Sequence, residues 1–581
     1  MDRTGSRCVG FETSHHPIAQ FRGAGPMPPR DWCVTESAKV SALLDKRGDA
    51  TGEVLFGAGF GPSGLPHIGT LCEVVRTSFV QRTFAETTGR PTRLVLVSDD
   101  MDALRKVPDG FPNRELLTGH LGMPLHRVPD PFEQDESLSS GINARLRRVL
   151  DAFEVEYDLV CSSTAYASGK YDDTIRSLLA DLAGCNDLVG ASVGPVRRSS
   201  YSILMPVSAY TGRVIEHTRV LSVDPVVGSL TYEIPADVII QRPGLDYGIE
   251  PHEYYAGEPI GEPITVSALG GACKLQWKAD WAMRLLARGV AYEMHGEDLA
   301  ASAQVVRRIF ARLRREPPVL FGYGLFTDER GHKISKSRGN GFSLTEAQDY
   351  LTQEALRLLL YRKPRRPRRF APALAPRIND AVRHELRRAA DPGRGAGARV
   401  RLHRIGAGAG VAGPGFGKLV RVLDACAPVD FAAAVEFARR YFAEVDHELL
   451  VKAWHFHDAR RPLTAAPGTA ADRPHDATPA APRPRDAALL PWLPTPAHTA
   501  LLQRVAEVIE LAPPAELAIR LGLLLTVSPL GKPAACRTLY LALLGRPHGP
   551  RLATWIRITG PKRTLRLLRE TLARTEQGGS P

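Results

Sequence analysis

The chain has 581 residues, of which 44% are apolar and 24% are charged, values typical of a folded protein with material for several cores. Lys and Arg outnumber Asp and Glu by 75 to 63, and the resulting charge of +12 favours a polyanionic partner. No apolar run approaches the roughly 18 residues of a membrane span, and the N-terminus lacks the apolar core of a secretory signal. We therefore expect no membrane association and a cytoplasmic location.

The first predicted elements alternate between helix and strand. Residues 1–31 mix Gly, Pro, Arg and His without periodicity, so we predict a flexible extension. Apolar spacing then predicts, in chain order, a helix over 32–46, a strand over 53–58, a helix over 71–87 and a strand over 93–98. This order is a βαβ unit with a parallel sheet, which makes 32–160 the first half of an α/β domain.

The rest of the chain divides into an insertion, a return to the α/β domain and a helical region. Short β-like pieces broken by Gly and Pro predict an insertion over 161–263. The α/β domain resumes over 264–345, with a helix at 277–288, a strand at 290–294 and a basic helix at 302–315. Residues 346–581 are predicted helical, except for flexible loops near 391–417 and 460–496, which are poor in large apolar side chains.

Eight cysteines are scattered along the chain, at positions 8, 33, 72, 161, 185, 273, 426 and 536. Their spacing fits neither a zinc knuckle nor a dense disulfide framework. We expect them to be reduced and mostly structural, and we predict no metal site from them.

A glycine-rich segment, GAGFGPSGLPHIGT at residues 57–70, lies between the first predicted strand and the next helix. Backbone N–H groups, the positive end of a helix dipole and the His67 imidazole would meet there, which suits a triphosphate. Neither a dinucleotide-binding fingerprint nor a P-loop is present. Taken alone, the segment could equally be a packing turn, and His67 an ordinary surface histidine.

A second segment, KISKSRGN at residues 333–340, places two lysines three positions apart in a predicted loop. Such a loop can close on phosphates, although a solvated basic loop is the plainer interpretation of this segment by itself.

Together the two segments resemble the signatures of class I aminoacyl-tRNA synthetases, with HIGT at 67–70 and KISKS at 333–337. Further motifs are similar to class I lysyl-tRNA synthetases: PSGLPHIGT (62–70), GRPTRL (89–94), SDDMDALRKVP (98–108), KLQWKADWAMR (274–284) and YEMHGEDL (292–299). The resemblance implies a Rossmann-like parallel-sheet catalytic domain, an inserted small α/β acceptor-binding subdomain over 161–263 and an all-α, anticodon-binding-like C-terminal domain.

The resemblance also implies activation of L-lysine by ATP to lysyl-adenylate, followed by transfer to tRNA. Its catalytic residues would be His67, Thr70, Lys333 and Lys336. Its ATP-binding residues would be Gly59, Gly61, Pro62, Gly64, Gly69, Gly296, Asp298 and Lys336. Mg²⁺ is expected on the phosphates from nucleotide chemistry.

A buried lysine ammonium group needs a negative counter-charge. Asp99, Asp100 and Asp102 follow a predicted parallel strand, where open α/β sheets place ligand sites, although each could instead cap the next helix. Trp277 and Tyr323 match aromatic positions that the family uses around the amino acid, whereas Trp281 is expected in the core.

Some positions depart from the family pattern. Glu297 stands where a lysine is common, Leu299 where archaeal-type members often have histidine, and residues 204–214 lack the cysteine pairs that hold zinc in some members. We therefore predict no structural zinc. Basic clusters at 307–315 and 362–369 fit a tRNA partner, and we expect a monomer.

Three alternatives remain open at this point. One is a non-catalytic RNA-binding or regulatory paralogue that keeps the fold. Another is a class I synthetase with arginyl, glutamyl or glutaminyl specificity. A small-molecule nucleotidylyltransferase would share a similar histidine turn but is much shorter between the two signatures.

Overall fold

The computed structural model describes residues 31–191, 202–236, 250–334, 342–408, 413–426, 428, 430–460, 495–513, 515–544 and 551–577. Its centre is a parallel sheet with the spatial strand order β10-β9-β1-β2-β3. These strands are β1 Val54–Phe60, β2 Thr92–Ser98, β3 Asp158–Cys161, β9 Tyr292–Gly296 and β10 Val319–Tyr323. The predicted α/β class with a parallel sheet is confirmed. The expectations for 1–30, for Lys336 and for 461–494 lie outside the described residues.

Four helices accompany the first half of the sheet: α1 Trp32–Arg47, α2 Ile68–Thr88, α3 Arg114–Gly119 and α4 Leu138–Ala152. Helix α2 begins three residues earlier than predicted, because its N-cap is His67 rather than one of the usual small polar residues. It ends at Gly89, whose positive φ of 71° closes the helix in the left-handed conformation.

The inserted region begins with helices, not with the β-like pieces expected there. It contains α5 Ser162–Ala167, α6 Asp172–Leu179, α7 Leu182–Gly190, β4 Leu204–Pro206, β5 Arg219–Asp224, β6 Ser229–Glu233, α8 Pro251–Tyr254, β7 Ile264–Ser267 and β8 Cys273–Leu275. Strands β5, β6 and β7 form an antiparallel sheet, and β4 pairs with β8. Apolar residues of this region share one core with the helices that follow, so the boundary at 263 separates no independent core.

The chain then returns to the central sheet through α9 Trp277–Arg288 and α10 Ala300–Arg312, which flank β9. The predicted helix at 277–288 is confirmed residue for residue. After β10, the short strand β11 Phe326–Thr327 pairs with β12 Arg368–Arg369 and ties the end of the α/β domain to the helical region.

The C-terminal region is helical in its described part. The helices are α11 Leu344–Tyr350, α12 Gln353–Tyr361, α13 Ala375–Ala389, α14 Ala396–Ile405, α15 Phe416–Cys426, α16 Phe431–Tyr441, α17 His447–Ala459, α18 Pro496–Leu511, α19 Leu517–Thr526, α20 Lys532–Leu544, α21 Leu552–Thr559 and α22 Pro561–Gln577. None of the described helices is long and apolar enough to cross a membrane.

The loop predicted over 391–417 is wrong in its centre, where α14 forms. Ala and Arg are good helix formers, and three apolar residues, Ala398, Leu402 and Ile405, are enough to bury one face of this short helix. Helices α11 to α17 continue the core of the sheet's first half, whereas α18 to α22 surround a separate apolar cluster.

Candidate functional site

The histidine signature forms the N-terminus of α2, directly after β1. The His67 Nδ1 accepts the backbone N–H of Thr70 at 3.2 Å and lies 3.3 Å from the Thr70 hydroxyl oxygen. Because Nδ1 accepts, the neutral ring carries its proton on Nε2, which is then a donor for a ligand. A Cβ at Gly69 would lie 2.7 Å from the imidazole, so glycine is needed for this arrangement.

Lys333 lies at the same edge of the sheet as His67. Its Nζ pairs with Asp298 Oδ2 at 2.5 Å, and Asp298 follows the end of β9. Since β9 is the parallel neighbour of β1, the loops after both strands emerge side by side. Residue Glu297, which departs from the family pattern, is exposed at this turn.

The glycines predicted to bind ATP have different surroundings. A Cβ at Gly59 would lie 2.4 Å from the Arg284 guanidinium, and one at Gly296 would lie 2.4 Å from the Asp298 carboxylate. A Cβ at Gly61 would meet open space, while Pro62 and Gly64 are buried. Gly59 therefore accommodates an internal arginine, and the surroundings of Gly61 leave room for a ligand.

The three candidate aspartates lie together after β2, but they are not equivalent. Asp100 is buried and accepts the backbone N–H of Ser163 at 2.7 Å and its hydroxyl at 2.5 Å, at the start of α5. Asp102 forms an ion pair with the buried Lys274. Asp99 accepts a long hydrogen bond of 3.4 Å from Ser162, and burial raises the pKa of its carboxyl group.

Tyr323, at the end of β10, donates a hydrogen bond of 3.0 Å to Glu73 Oε2 on α2. Burial, reinforced by the nearby Glu293, raises the pKa of Glu73 to about 8. Glu73 was not among the predicted site residues. The available signal was a carboxylate six residues after His67 on a predicted helix, but its partial burial could not be read from the sequence.

The two tryptophans differ in environment. Trp277 is half-buried at the start of α9, and the Lys278 ammonium nitrogen lies 5.4 Å from its ring centroid. Trp281 is buried, as expected, and donates to Glu293 Oε1 at 2.7 Å.

Helix α9 carries further charged side chains that sequence reasoning missed. Arg284 forms a buried ion pair with Glu293 at 2.8 Å, and Asp280 accepts the Tyr166 hydroxyl. Burial raises the pKa of Asp280 and lowers that of His295. A sequence signal for these buried charges was available. Asp280 and Arg284 lie four positions apart within an apolar helix face. Among the described residues, no group of three or more His, Cys, Asp or Glu side chains could hold a metal ion.

Comparisons with known proteins identify the family of this chain. The family model of class I (K) tRNA synthetases matches residues 30–398. The chain is 34% identical to a lysine–tRNA ligase of Roseobacter denitrificans over 361 residues, which cover 62% of this chain and 64% of that relative. The match to a lysine–tRNA ligase of Rickettsia africae is 33% identical and covers 58% and 60%. These two matches thus span less than two thirds of the relatives' length.

A longer match extends through the helical region. A lysine–tRNA ligase of Rickettsia bellii is 30% identical over 567 residues, which cover 93% of this chain and 98% of that relative. Among solved structures, a glutamate tRNA ligase from Elizabethkingia meningosepticum gives a TM-score of 0.40 at 11% identity, covering 90% of this chain and 99% of that one. The family model and the Rickettsia bellii relative show that the chain belongs to the class I (K) tRNA synthetases.

Proposed function

We propose that this protein joins L-lysine to tRNA through a lysyl-adenylate formed from ATP. The observation that supports the proposal is that His67, Lys333 and the partly buried acid Glu73 lie at one edge of the parallel sheet. This edge combines donors for phosphate oxygens with a carboxyl group for an ammonium ion.

Adenylation requires the lysine carboxylate to attack the α-phosphorus of ATP while pyrophosphate leaves. The protein's task is to position the two substrates and to neutralise the departing charge. We assign these donors to His67 Nε2 and to the ammonium groups of Lys333 and Lys336. Lys333 must leave Asp298 to do so, and this costs little because the pair is partly exposed.

Mg²⁺ would accompany the phosphates of ATP. Carboxylate oxygens and phosphates are its preferred ligands, and the nucleotide itself supplies most of them. Asp298, close to Lys333, is the carboxylate that we place nearest the nucleotide, together with the turn at Gly296.

The side chain of the bound lysine would lie near Tyr323 and Glu73. Ionised Glu73 is a counter-charge for the ammonium group, with Asp99 as a second carboxylate at the same edge. Asp100 and Asp102 would act indirectly, because each already holds a partner within the protein. Trp277 would cover part of the pocket.

The tRNA would lie along the basic segment that joins the two regions. Arg362 and Arg365 are partly to largely exposed there, and their carboxylate partners lie 3.9 and 3.6 Å away. Such weakly paired surface arginines are suited to phosphate contacts. We place the reaction in the cytoplasm and expect a monomer to perform it.

Exchange of pyrophosphate into ATP tests the proposed reaction. With tRNA present, lysine should support exchange, whereas arginine and glutamate should not. His67→Ala should lower the rate by about 10²-fold or more, because one phosphate donor is lost. His455→Ala, an exposed histidine on α17, is the matched control and should have wild-type activity.

Two outcomes would contradict the proposal. Exchange supported by another amino acid would reassign the specificity, and no exchange with any amino acid would favour a paralogue that binds RNA without catalysis.

A further inference from the structure

Arg76 is a fully buried arginine in the middle of α2. Its Nε donates to the carbonyl oxygen of Leu360 in α12 at 2.6 Å. Neither terminal guanidinium nitrogen has a hydrogen-bond partner within the described part of the chain. Buried polar groups are almost always paired, and a buried cation with two unpaired nitrogens destabilises the fold.

The Arg76 guanidinium carbon lies 5.5 Å from the centroid of the Tyr323 ring and 5.6 Å from that of Phe326. Cation–π attraction at these distances partly offsets the cost of burial. Tyr323 is also the residue whose hydroxyl donates to Glu73. Glu73 precedes Arg76 by three positions, so the two side chains leave the same face of α2. Tyr323 therefore has the guanidinium at its ring and the carboxylate at its hydroxyl.

We propose that Arg76 is a positioning residue for lysine selection, which orients the Tyr323 ring so that its hydroxyl fixes the Glu73 carboxylate. The inference rests on the proposed function, because it assumes that Glu73 receives the substrate ammonium group. Arg76 touches no substrate in this account. It acts only through Tyr323.

A purely structural role would lead to a different expectation. An apolar side chain of similar length would fill the same space without burying a charge, and such replacements of buried ionic groups are often neutral or stabilising. A destabilising arginine at this position is therefore explained by a contribution to the site that an apolar side chain cannot make.

The test compares Arg76→Met with Tyr323→Phe and with the double variant, in lysine-dependent pyrophosphate exchange with tRNA present. Arg76→Met should raise the KM for lysine about tenfold, with the KM for ATP unchanged and Tm equal to or above that of the wild type. Tyr323→Phe should have a similar effect. The KM for lysine of the double variant should be within about twofold of that of either single variant. Both substitutions interrupt the same series of contacts, from Arg76 through Tyr323 to Glu73.

Arg82→Met is the matched control. Arg82 lies on the same helix with its guanidinium 5.5 Å from the Phe79 ring, away from Tyr323, and its replacement should leave the KM for lysine unchanged. If Arg76→Met does not fold, Arg76→Lys carries the same test, because it loses the planar contact with the ring while keeping the charge.

Several results would overturn the assignment. They are a wild-type KM for lysine in the folded Arg76 variant, equal losses for lysine and ATP, or independent losses in the double variant. Absence of lysine-dependent exchange in the wild-type protein would instead refute the proposed function, and this inference with it.

Discussion

In the proposed function, Glu73 links partial burial to substrate choice. Its pKa is raised from 4.5 to about 8, so the folded protein holds a proton there that the unfolded chain has released. Its contribution to stability is therefore present below about pH 4.5 and is lost as the pH rises toward 8. Under the proposed function, the substrate lysine pairs with the ionised form of Glu73, so lysine binding at neutral pH should release a proton.

The KM for lysine should therefore depend on pH. Between pH 6 and 8 it should fall by up to about tenfold per pH unit and then level off, because an ever larger fraction of Glu73 is ionised. Exchange kinetics measured across this range check the prediction. Glu73→Gln should raise the KM and flatten the profile, whereas Glu115→Gln, at an exposed position on α3, should change neither. A steep profile in Glu73→Gln would assign the titration to another group.

Among single residues, the site predictions came from short motifs. His67 and Lys333 stand in recognisable segments, and the structure places both at one sheet edge. Glu73 was missed because its environment depends on Tyr323, which is 250 positions away. Burial of a carboxylate is a property of the folded chain, and no local pattern reports it.

Among elements, the contact between α1, α2 and α14 is held by a buried ionic network. Arg404 on α14 pairs with Asp31, the N-cap of α1, at 3.1 Å and with Glu86 on α2 at 2.5 Å. The Asp31 and Arg404 side chains are only 1% and 2% exposed. Asp31 also accepts the Tyr361 hydroxyl at 2.7 Å. This network joins the helical region to the α/β domain.

Arg404→Met should destabilise the fold by about 3 kcal/mol, because it leaves the Asp31 carboxylate buried without its cation. Urea unfolding monitored by circular dichroism measures this change. Arg520→Met breaks an exposed pair on α19 and should cost less than about 0.5 kcal/mol. A loss in Arg404→Met as small as that of the control would show that the network adds nothing to stability.

Reliance on distant partners explains which elements could be predicted. Long apolar periodicity identified α9 to the residue, because its own sequence specifies its buried face. Helix α14 was missed, since it owes its formation to a few buried contacts with distant elements. Asp31 was assigned to a flexible extension because its partners, Arg404 and Tyr361, are more than 300 residues away.

For the whole molecule, the alternation of helix and strand in the sequence predicted the parallel sheet correctly. It did not predict how the apolar cores are shared between regions. The insertion shares one core with α9 and α10, and α11 to α17 share another with the first half of the sheet. A division of the chain by composition cannot detect such sharing, because apolar residues of separate segments look alike. The central sheet is thus packed against both the insertion and the helical region.

The loop after β1, which carries His67, and the loop after β11, which carries Lys333, should bind one nucleotide between them. A crystal structure with bound lysine and a non-hydrolysable ATP analogue tests it most directly. The triphosphate should lie within hydrogen-bonding distance of both His67 Nε2 and Lys333 Nζ, with Lys333 released from Asp298. A nucleotide that contacts only one of these two residues, or that binds at another surface, would contradict the account.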